Sequence, residues 1–494
     1  MSEVLPRCKV GTGLEISRLV TGLWQVADME RGGRVLDLEA AAAAMVPYVE
    51  AGLTTFDMAD HYGSAEEIAG AFQRHYGATY RVEFLTKWVP EPGQITRDDA
   101  RVAIERALTR LNRDQIDLLQ FHTWRYADLS WLDGLLWLQE FKEEGLIREI
   151  GLTNFDSLHL KIALDTGIEI ATNQVSYSLL DRRAAGEMTE VCRRTGVRLL
   201  AYGTLAGGLL TDRWLGEGEP SERLTWSQMK YRRFIEAAGG WERLQEVLTG
   251  LASQAERHGV SIANLASRYV LEQPAVAGVI IGARLGESEH IEDNLRLRDL
   301  SLDDEAERGI ERSLTSLAPI PGDSGDEYRQ APFLTASGDL SHHLSTFPRP
   351  YPVRNRPDGR LIVDTGTRWE GLAGFCRAIR DGDRILVAGT TATHGDKTVG
   401  GGDAASQFHF IVDKIEAALL SLGARLNDIV RTRVFVKRIS DWEAVARAHG
   451  NRFGDVLPVN TLVQADLVGE EYLVEVEAEA LLGTVGAAHL LDHE

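Results

Sequence analysis

Short apolar runs alternate with helical stripes through the first 283 residues. The runs ISRLVTGLW, TTFDMA, VEFLTKW, IDLLQFH, REIGLTN, ATNQVSY, VRLLAY and AVAGVIIGA are each short enough for a strand. Between them, LDLEAAAAAMVPYVEAG, RDDARVAIERALTRLN, WLDGLLWLQEFKEEG and AGEMTEVCRRTG carry apolar residues at three- and four-residue spacing, the mark of an amphipathic helix. Eight such alternations predict an α/β fold of the (β/α)8 TIM-barrel type. One connection breaks the rhythm: about 70 residues separate Tyr202 from Val276, including LTDRWLGEGEPSERLTW. Leaving the catalytic end of the seventh strand, it predicts a cover over the barrel mouth, with further helices at 241–258 and 261–273.

The periodicity then stops. From APIPGDSGDEYRQAPFL to STFPRPYPVRNRPDG the chain is dense in Pro, Gly, Asp and Arg, which predicts a linker and a domain boundary near 345. Beyond it, LIVDTG, DRILVAGTT, DIVRTRVFVK, VNTLVQADL and YLVEVEAEALLG predict strands, and AASQFHFIVDKIEAALLSLGA and SDWEAVARAHGNRFG predict helices. The expected division is a barrel over 1–340, a linker over 341–356 and a smaller α+β domain over 357–486. No tandem repeat of solenoid period is present.

The 494 residues exceed what one hydrophobic core covers, in keeping with two cores. Acidic residues outnumber basic ones 74 to 53, and the net charge of −21 argues against nucleic-acid binding. An anionic ligand must therefore meet a local positive site. No apolar run reaches the roughly 20 residues that span a bilayer. MSEVLPRCKVG lacks a secretory plan, so a cytoplasmic location and no membrane partner are expected. Cys8, Cys192 and Cys376 are too few and scattered for a disulfide framework or a thiolate metal site, and no metal is expected.

Four polar residues, Asp57, Tyr62, Lys87 and His122, stand at or just past strand ends. In a parallel barrel such ends converge on one rim, where this fold holds its chemistry. A carboxylate, a phenol, an ammonium and an imidazole together suit proton delivery to a carbonyl oxygen.

Through FDMADHYG, LTKW, FHTW, GLTNFD, NQVSYS and GARLGESEHIEDN, in that order, residues 1 to about 335 resemble the aldo-keto reductase family. The resemblance implies Tyr62 as proton donor, Lys87 and Asp57 as its modulating pair, and His122 as the group orienting the substrate carbonyl. A nearby lysine ammonium favours the phenolate, so the Tyr62 phenol is expected to be more acidic than an ordinary one. The resemblance further implies a nicotinamide cofactor held by Thr153 with Asn154, Gln174 and Tyr202. Gly203, Thr204 and Leu205 would line its pyrophosphate, and Gly282, Arg284, Ser288, His290 and Asn294 would grip the far phosphate. His290 stands where many relatives have Arg or Gln, and the span from Gly282 to Asn294 is two residues longer than the family pattern, while Arg284 suits a 2′-phosphate. NADPH is expected over NADH. Trp24, which also faces the cofactor, Trp88 and Trp124 are the expected substrate-pocket walls, with core packing the competing account for each.

Residues 355 to 485 resemble the Rid (YjgF) family, of chorismate-mutase-like fold, through FCRAIRDGDRILVAGTTA, RTRVFVKRISDWEAV, VNTLVQADL and LVEVEAEA. Active members bind a substrate carboxylate through an arginine, where this chain has Asn460 in PVNT, so a non-deaminating, oligomerising domain is expected, trimeric as in its relatives. Glu475 matches the acidic position of active members, and Phe375 with Cys376 stands where they carry an aromatic and a serine. The combined expectation is an NADP-dependent oxidoreductase of secondary metabolism, reducing a small carbonyl compound or a cyclic imine. A nucleotide-sensing regulatory protein and a bifunctional enzyme, reductase plus imine or enamine processing, are the alternatives.

Overall fold

The computed structural model describes residues 7–26, 36–221, 224–287, 290–330 and 347–483. Strands β1 (Arg7–Val10) and β2 (Leu14–Ser17) form an antiparallel hairpin. Strands β3 (Leu19–Gly22), β4 (Thr55–Asp57), β5 (Glu83–Trp88), β6 (Ile116–Phe121), β7 (Ile147–Thr153), β8 (Thr172–Ser176), β9 (Arg198–Tyr202) and β10 (Val276–Gly282) follow. These eight close into one parallel barrel, β10 pairing with both β3 and β9. The hairpin is absent from the sequence expectation because ISRLVTGLW merges the end of β2 with β3. Val10, Leu14 and Ile16 plug the barrel floor against Val20, Leu85, Leu118, Leu200 and Ala277, so the interior is packed and the opposite end is left for chemistry.

The run LDLEAAAAAMVPYVEAG forms two short helices, Leu38–Ala43 and Val46–Glu50, divided where Pro47 opens the second. The long connection holds the expected helices, Trp241–His258 and Ile262–Leu271, and one more, Trp226–Ala237, begun by a Thr225/Gln228 capping box. The segment read as the start of the linker contains a one-turn helix, Asp326–Arg329, held against the barrel by Arg329 donating to Thr123 O (2.6 Å).

In the second domain, β11 (Val353–Asn355), β12 (Leu361–Val363), β13 (Ala378–Asp381), β14 (Arg384–Thr391), the two-residue β15 (Thr393–His394) and β16 (Lys397–Thr398), β17 (Ile429–Val436), β18 (Val459–Gln464) and β19 (Val474–Leu481) follow in order. Seven of them form one sheet, ordered β11-β12-β13-β14-β19-β17-β18. Helix Ala404–Ser421 buries Phe408, Ile411 and Ile415 in the core that Ile385, Val434, Val476 and Ala478 share from the sheet. The boundary expected near 345 lies outside the described residues. Two differences are visible on its far side: 347–352 run against the barrel, Arg125 donating to Pro348 O (2.9 Å) and Gln94 to Pro350 O (3.1 Å), and β11 occupies residues assigned to the linker.

Barrel and second domain meet where helix Ser157–Asp165 packs on helix Ala404–Ser421. His159 is the centre of this junction. Its Nδ1 lies 2.8 Å from Asp156, the N-cap of its own helix, its Nε2 lies 2.9 Å from Asp413 of the other, and its ring stacks on Tyr126 at 3.3 Å. Arg452 closes the network on Asp413 at 2.7 Å. No helix among the described residues is long and apolar enough to cross a membrane, and the three cysteines are free.

Candidate active site

Parallel strands deliver their C-terminal residues to one rim, which is how residues far apart in sequence meet here. Asp57 is the last residue of β4, Lys87 lies near the end of β5, and His122 directly follows β6. All three are buried, yet with Tyr62 they line a cavity of about 370 Å³ at the barrel mouth. Lys87 Nζ donates to Asp57 Oδ2 (2.6 Å) and to Met58 O (2.9 Å). The other carboxylate oxygen of Asp57 accepts from Gln174 (2.7 Å) and Gln120 (2.9 Å), themselves joined at 2.8 Å. Asp57 is thus fixed from three strands. Gln120 escaped the sequence reading, although two-residue spacing puts it on the same strand face as His122.

Tyr62 sits on the loop after β4, its ring edge-on to Trp24 (4.8 Å) and to His61 (4.8 Å). Lys87 Nζ lies 5.0 Å from its ring centroid. The expected acidification of the phenol is corrected here: burial first, then the Asp57 carboxylate, pushes the Tyr62 phenol well above its ordinary value. The reason is that Lys87 directs its hydrogen bonds to Asp57 and Met58, and burial weakens its own hold on its proton. Tyr62 is therefore fully protonated at neutral pH, a state suited to donation.

His122 Nδ1 lies 3.2 Å from Thr153 O, and since a carbonyl only accepts, that nitrogen carries the proton. Its ring meets Trp124 edge-on at 4.7 Å and Tyr328 at 5.7 Å. Trp24 also lines the cavity and donates to Ser227 (3.1 Å), tying the long connection over the mouth. Trp88 is a correction: it is buried against Phe121 (5.3 Å), and its neighbour Val89 takes the place in the cavity wall because successive strand residues face opposite ways.

Thr153, Asn154, Gln174, Tyr202, Gly203, Thr204, Leu205, Gly282, Arg284 and His290 all line the same cavity. Asn154 adopts a left-handed backbone (φ 58°) and accepts from the Tyr202 hydroxyl at 2.7 Å. The turn after β9 hugs its cover: a Cβ on Gly203 would stand 2.0 Å from the Tyr231 hydroxyl, so only glycine fits there. Arg284 is exposed at the rim and has no ion pair among the described residues. Asn294 lies on helix Ile291–Asp299, outside the main cavity, and Ser288 lies outside the described residues. Amide groups, a glycine turn and a free guanidinium along one cavity fit an anionic dinucleotide.

Several cavity residues were absent from the sequence expectation, Lys230 and Tyr328 among them. Lys230, on helix Trp226–Ala237, donates to the Tyr328 hydroxyl at 2.9 Å, and Tyr328 belongs to the one-turn helix within the supposed linker. Neither carried a signal beyond its residue type.

In the second domain Asn460 is exposed and donates to Thr432 (2.9 Å), which contacts His449 (2.8 Å). Glu475 is half-buried beside Gly389, where a Cβ would stand 2.0 Å from its Oε1, and burial raises its carboxyl. Cys376 is half-buried, and its neighbour Arg377 donates to Gly389 O (2.7 Å) and Thr390 (2.9 Å).

Residues 18–314, more than half of the chain, match the family described as Aldo/keto reductase, and residues 365–482 match that described as Endoribonuclease L-PSP. The chain is 28% identical to an aldo-keto reductase of Bacillus subtilis over 55% of its own length and 83% of that protein. Its fold is like that of a glycerol dehydrogenase from Gluconobacter oxydans, with a TM-score of 0.51 at 23% identity over 64% of this chain and 97% of that one. Its C-terminal part is 39% identical to a Mycobacterium tuberculosis protein of the YjgF/YER057c/UK114 family, spanning 25% of this chain and 99% of that one, with a TM-score of 0.23.

Proposed function

The chain belongs to the aldo/keto reductase family, an oxidoreductase family, with a Rid/YjgF-family domain at its C-terminal end, and from that premise we propose that it is an NADPH-dependent reductase of a small carbonyl compound in which Tyr62 is the proton donor. The single observation that carries the reading is the joint placement of Asp57, Tyr62, Lys87 and His122 on one cavity with the turn Gly203–Leu205 and Arg284. A bound reduced nicotinamide supplies the hydride. Thr153, Asn154, Gln174 and Tyr202 would hold its ring end, Gly203 to Leu205 its pyrophosphate, and Arg284 with His290 the 2′-phosphate that distinguishes NADPH from NADH.

The protein's own part is acid chemistry. Tyr62 keeps its proton until negative charge develops on the substrate oxygen, at which point the adjacent Lys87 ammonium, 5.0 Å from the ring, favours the phenolate left behind. Asp57 keeps Lys87 charged in a desolvated site. His122, fixed by Thr153 O, orients the oxygen. Trp24 and Trp124 exclude water and favour an apolar or aromatic substrate body.

The Rid-family domain is a non-deaminating, self-associating module in this proposal. Asn460 lacks the charge and fork that bind a carboxylate, and the sheet face away from the helices exposes Leu386 and Leu481. Oxidation of NADPH and NADH with a panel of aldehydes, ketones and cyclic imines tests the assignment. Turnover of aldehydes with NADPH upholds it, turnover of cyclic imines alone moves the substrate to a C=N bond, and cofactor binding without turnover of any of them points to a sensor.

A further inference from the structure

Lys230 presents a chemical oddity inside the cavity. It is 8% exposed, and the network around it is short of anionic acceptors. Its ammonium donates to the hydroxyls of Tyr328 (2.9 Å) and Tyr202 (3.4 Å) and has no carboxylate within ion-pair distance among the described residues. The nearest candidate, Glu327, is taken: Arg183 holds it at 2.9 Å, the Gly325 amide donates to it at 3.0 Å, and the Tyr202 hydroxyl lies 3.2 Å away. Burial works against the lysine's charge, but Tyr328, Tyr231 and, at longer range, Glu327 outweigh burial and hold it firmly protonated. A buried ammonium has three N–H donors, and neutral phenols are weaker partners for them than an anion.

The position of this cation gives it meaning. Tyr328 bridges Lys230 to the reacting centre, since its hydroxyl accepts from the lysine and its ring lies 5.7 Å from the His122 ring. Lys230 also stands over the ring of Tyr202 at 4.8 Å, at the ring-binding end proposed for the cofactor. In a protein of net charge −21, a carboxylate drawn into this mouth needs such a local cation.

Building on the reductase reading, we propose that Lys230 and Tyr328 form a carboxylate-binding subsite, so that the substrate is a carbonyl compound bearing a second, anionic end. Hydride and proton act at one end of the molecule while Lys230 and the Tyr328 hydroxyl hold the other. A charge-assisted pair of this kind is worth roughly 10- to 150-fold in affinity.

The test compares 4-carboxybenzaldehyde with 4-methylbenzaldehyde by kcat/KM, and benzoate with benzamide by fluorescence titration of the NADP-saturated protein. The variants are Lys230→Met and Tyr328→Phe, the second keeping the ring on His122, with folding checked by thermal melts. The native protein should prefer the anion by about tenfold or more in both measurements. Lys230→Met should bring both ratios to about one, and Tyr328→Phe should lower them by about fivefold. A native ratio near one overturns the subsite. So does a Lys230→Met protein that keeps the ratio but binds NADPH more weakly, since the lysine then serves the dinucleotide phosphates. If the native protein reduces neither aldehyde, the reductase reading fails on its own, and the benzoate titration still decides the subsite: preference lost in Lys230→Met upholds it, and no preference in the native protein overturns it.

Discussion

The barrel mouth and the domain junction each bury a histidine among carboxylates and cations, yet they differ in what surrounds the charges. At the mouth, Asp57, Lys87 and His122 border a cavity that Tyr62 and Lys230 also line. At the junction, His159 has a carboxylate on each ring nitrogen and an aromatic ring on its face, and Asp413 is closed off by Arg452. A charge cluster with room beside it is available for chemistry. A saturated one holds two bodies together, because every group already has its partner and breaking one leaves the other buried and alone.

Substitution should separate the two regions cleanly. The largest effect belongs to the mouth: Tyr62→Phe is expected to lower kcat by about 10²- to 10⁴-fold with little change in melting temperature, measured by NADPH oxidation and thermal melts. A variant that keeps its rate would remove Tyr62 as the donor. Lys87→Met is expected to lose activity comparably and also to cost about 3–5 kcal/mol of stability, since Asp57 is left as an uncompensated buried charge. Urea unfolding measures that loss. At the junction the pattern inverts: His159→Gln is expected to cost about 3 kcal/mol of stability while kcat/KM per folded molecule stays put. A collapse of activity without loss of stability would break the comparison.

A smaller effect follows from titration of the same histidine. Burial works against its charge, but Asp156 and Asp413 outweigh burial and raise it from the ordinary 6.5 to about 9. The folded state therefore binds the proton more tightly than the unfolded one, and that stabilisation is complete below about pH 6.5 and lost as pH rises through about 9. Melting temperature should fall across that window, and His159→Gln should flatten this part of the profile. The smallest effect is expected from Asn460→Ala, an exposed substitution worth under about 0.5 kcal/mol that should leave reduction unchanged; a change in rate would tie the second domain to the chemistry.

Legibility in sequence tracked how local each cause is. Strand ends carry Asp57, Lys87 and His122, and short apolar runs with intervening helical stripes are enough to foresee a rim that gathers them. The second domain's alternation, as in VEVEAEAL, likewise announces its strands. Tyr328 was not legible because DEYRQ lies in a stretch of Pro, Gly and Asp that composition assigns to a linker, and only Arg329 reaching Thr123 O and Asn154 O turns it onto His122. Lys230 lies inside a long connection whose path no periodicity describes. His159 and Asp413 are 254 residues apart, and nothing near either one names the other. Trp88 and Val89 show the same limit at one-residue scale, where the pleat decides which of two neighbours meets the cavity.

By itself, then, the order of residues determined the two cores, the barrel and its eight strands, and the set of groups at the strand ends, because hydrophobic periodicity and strand direction are short-range properties. Only the tertiary structure decided that Gln120 and Gln174 pin Asp57, that Lys87 spends its hydrogen bonds on a carboxylate and leaves the phenol fully protonated, and that Lys230 and Tyr328 close the mouth. Those outcomes depend on burial and on distances between segments far apart along the chain, and both exist only once the chain has packed.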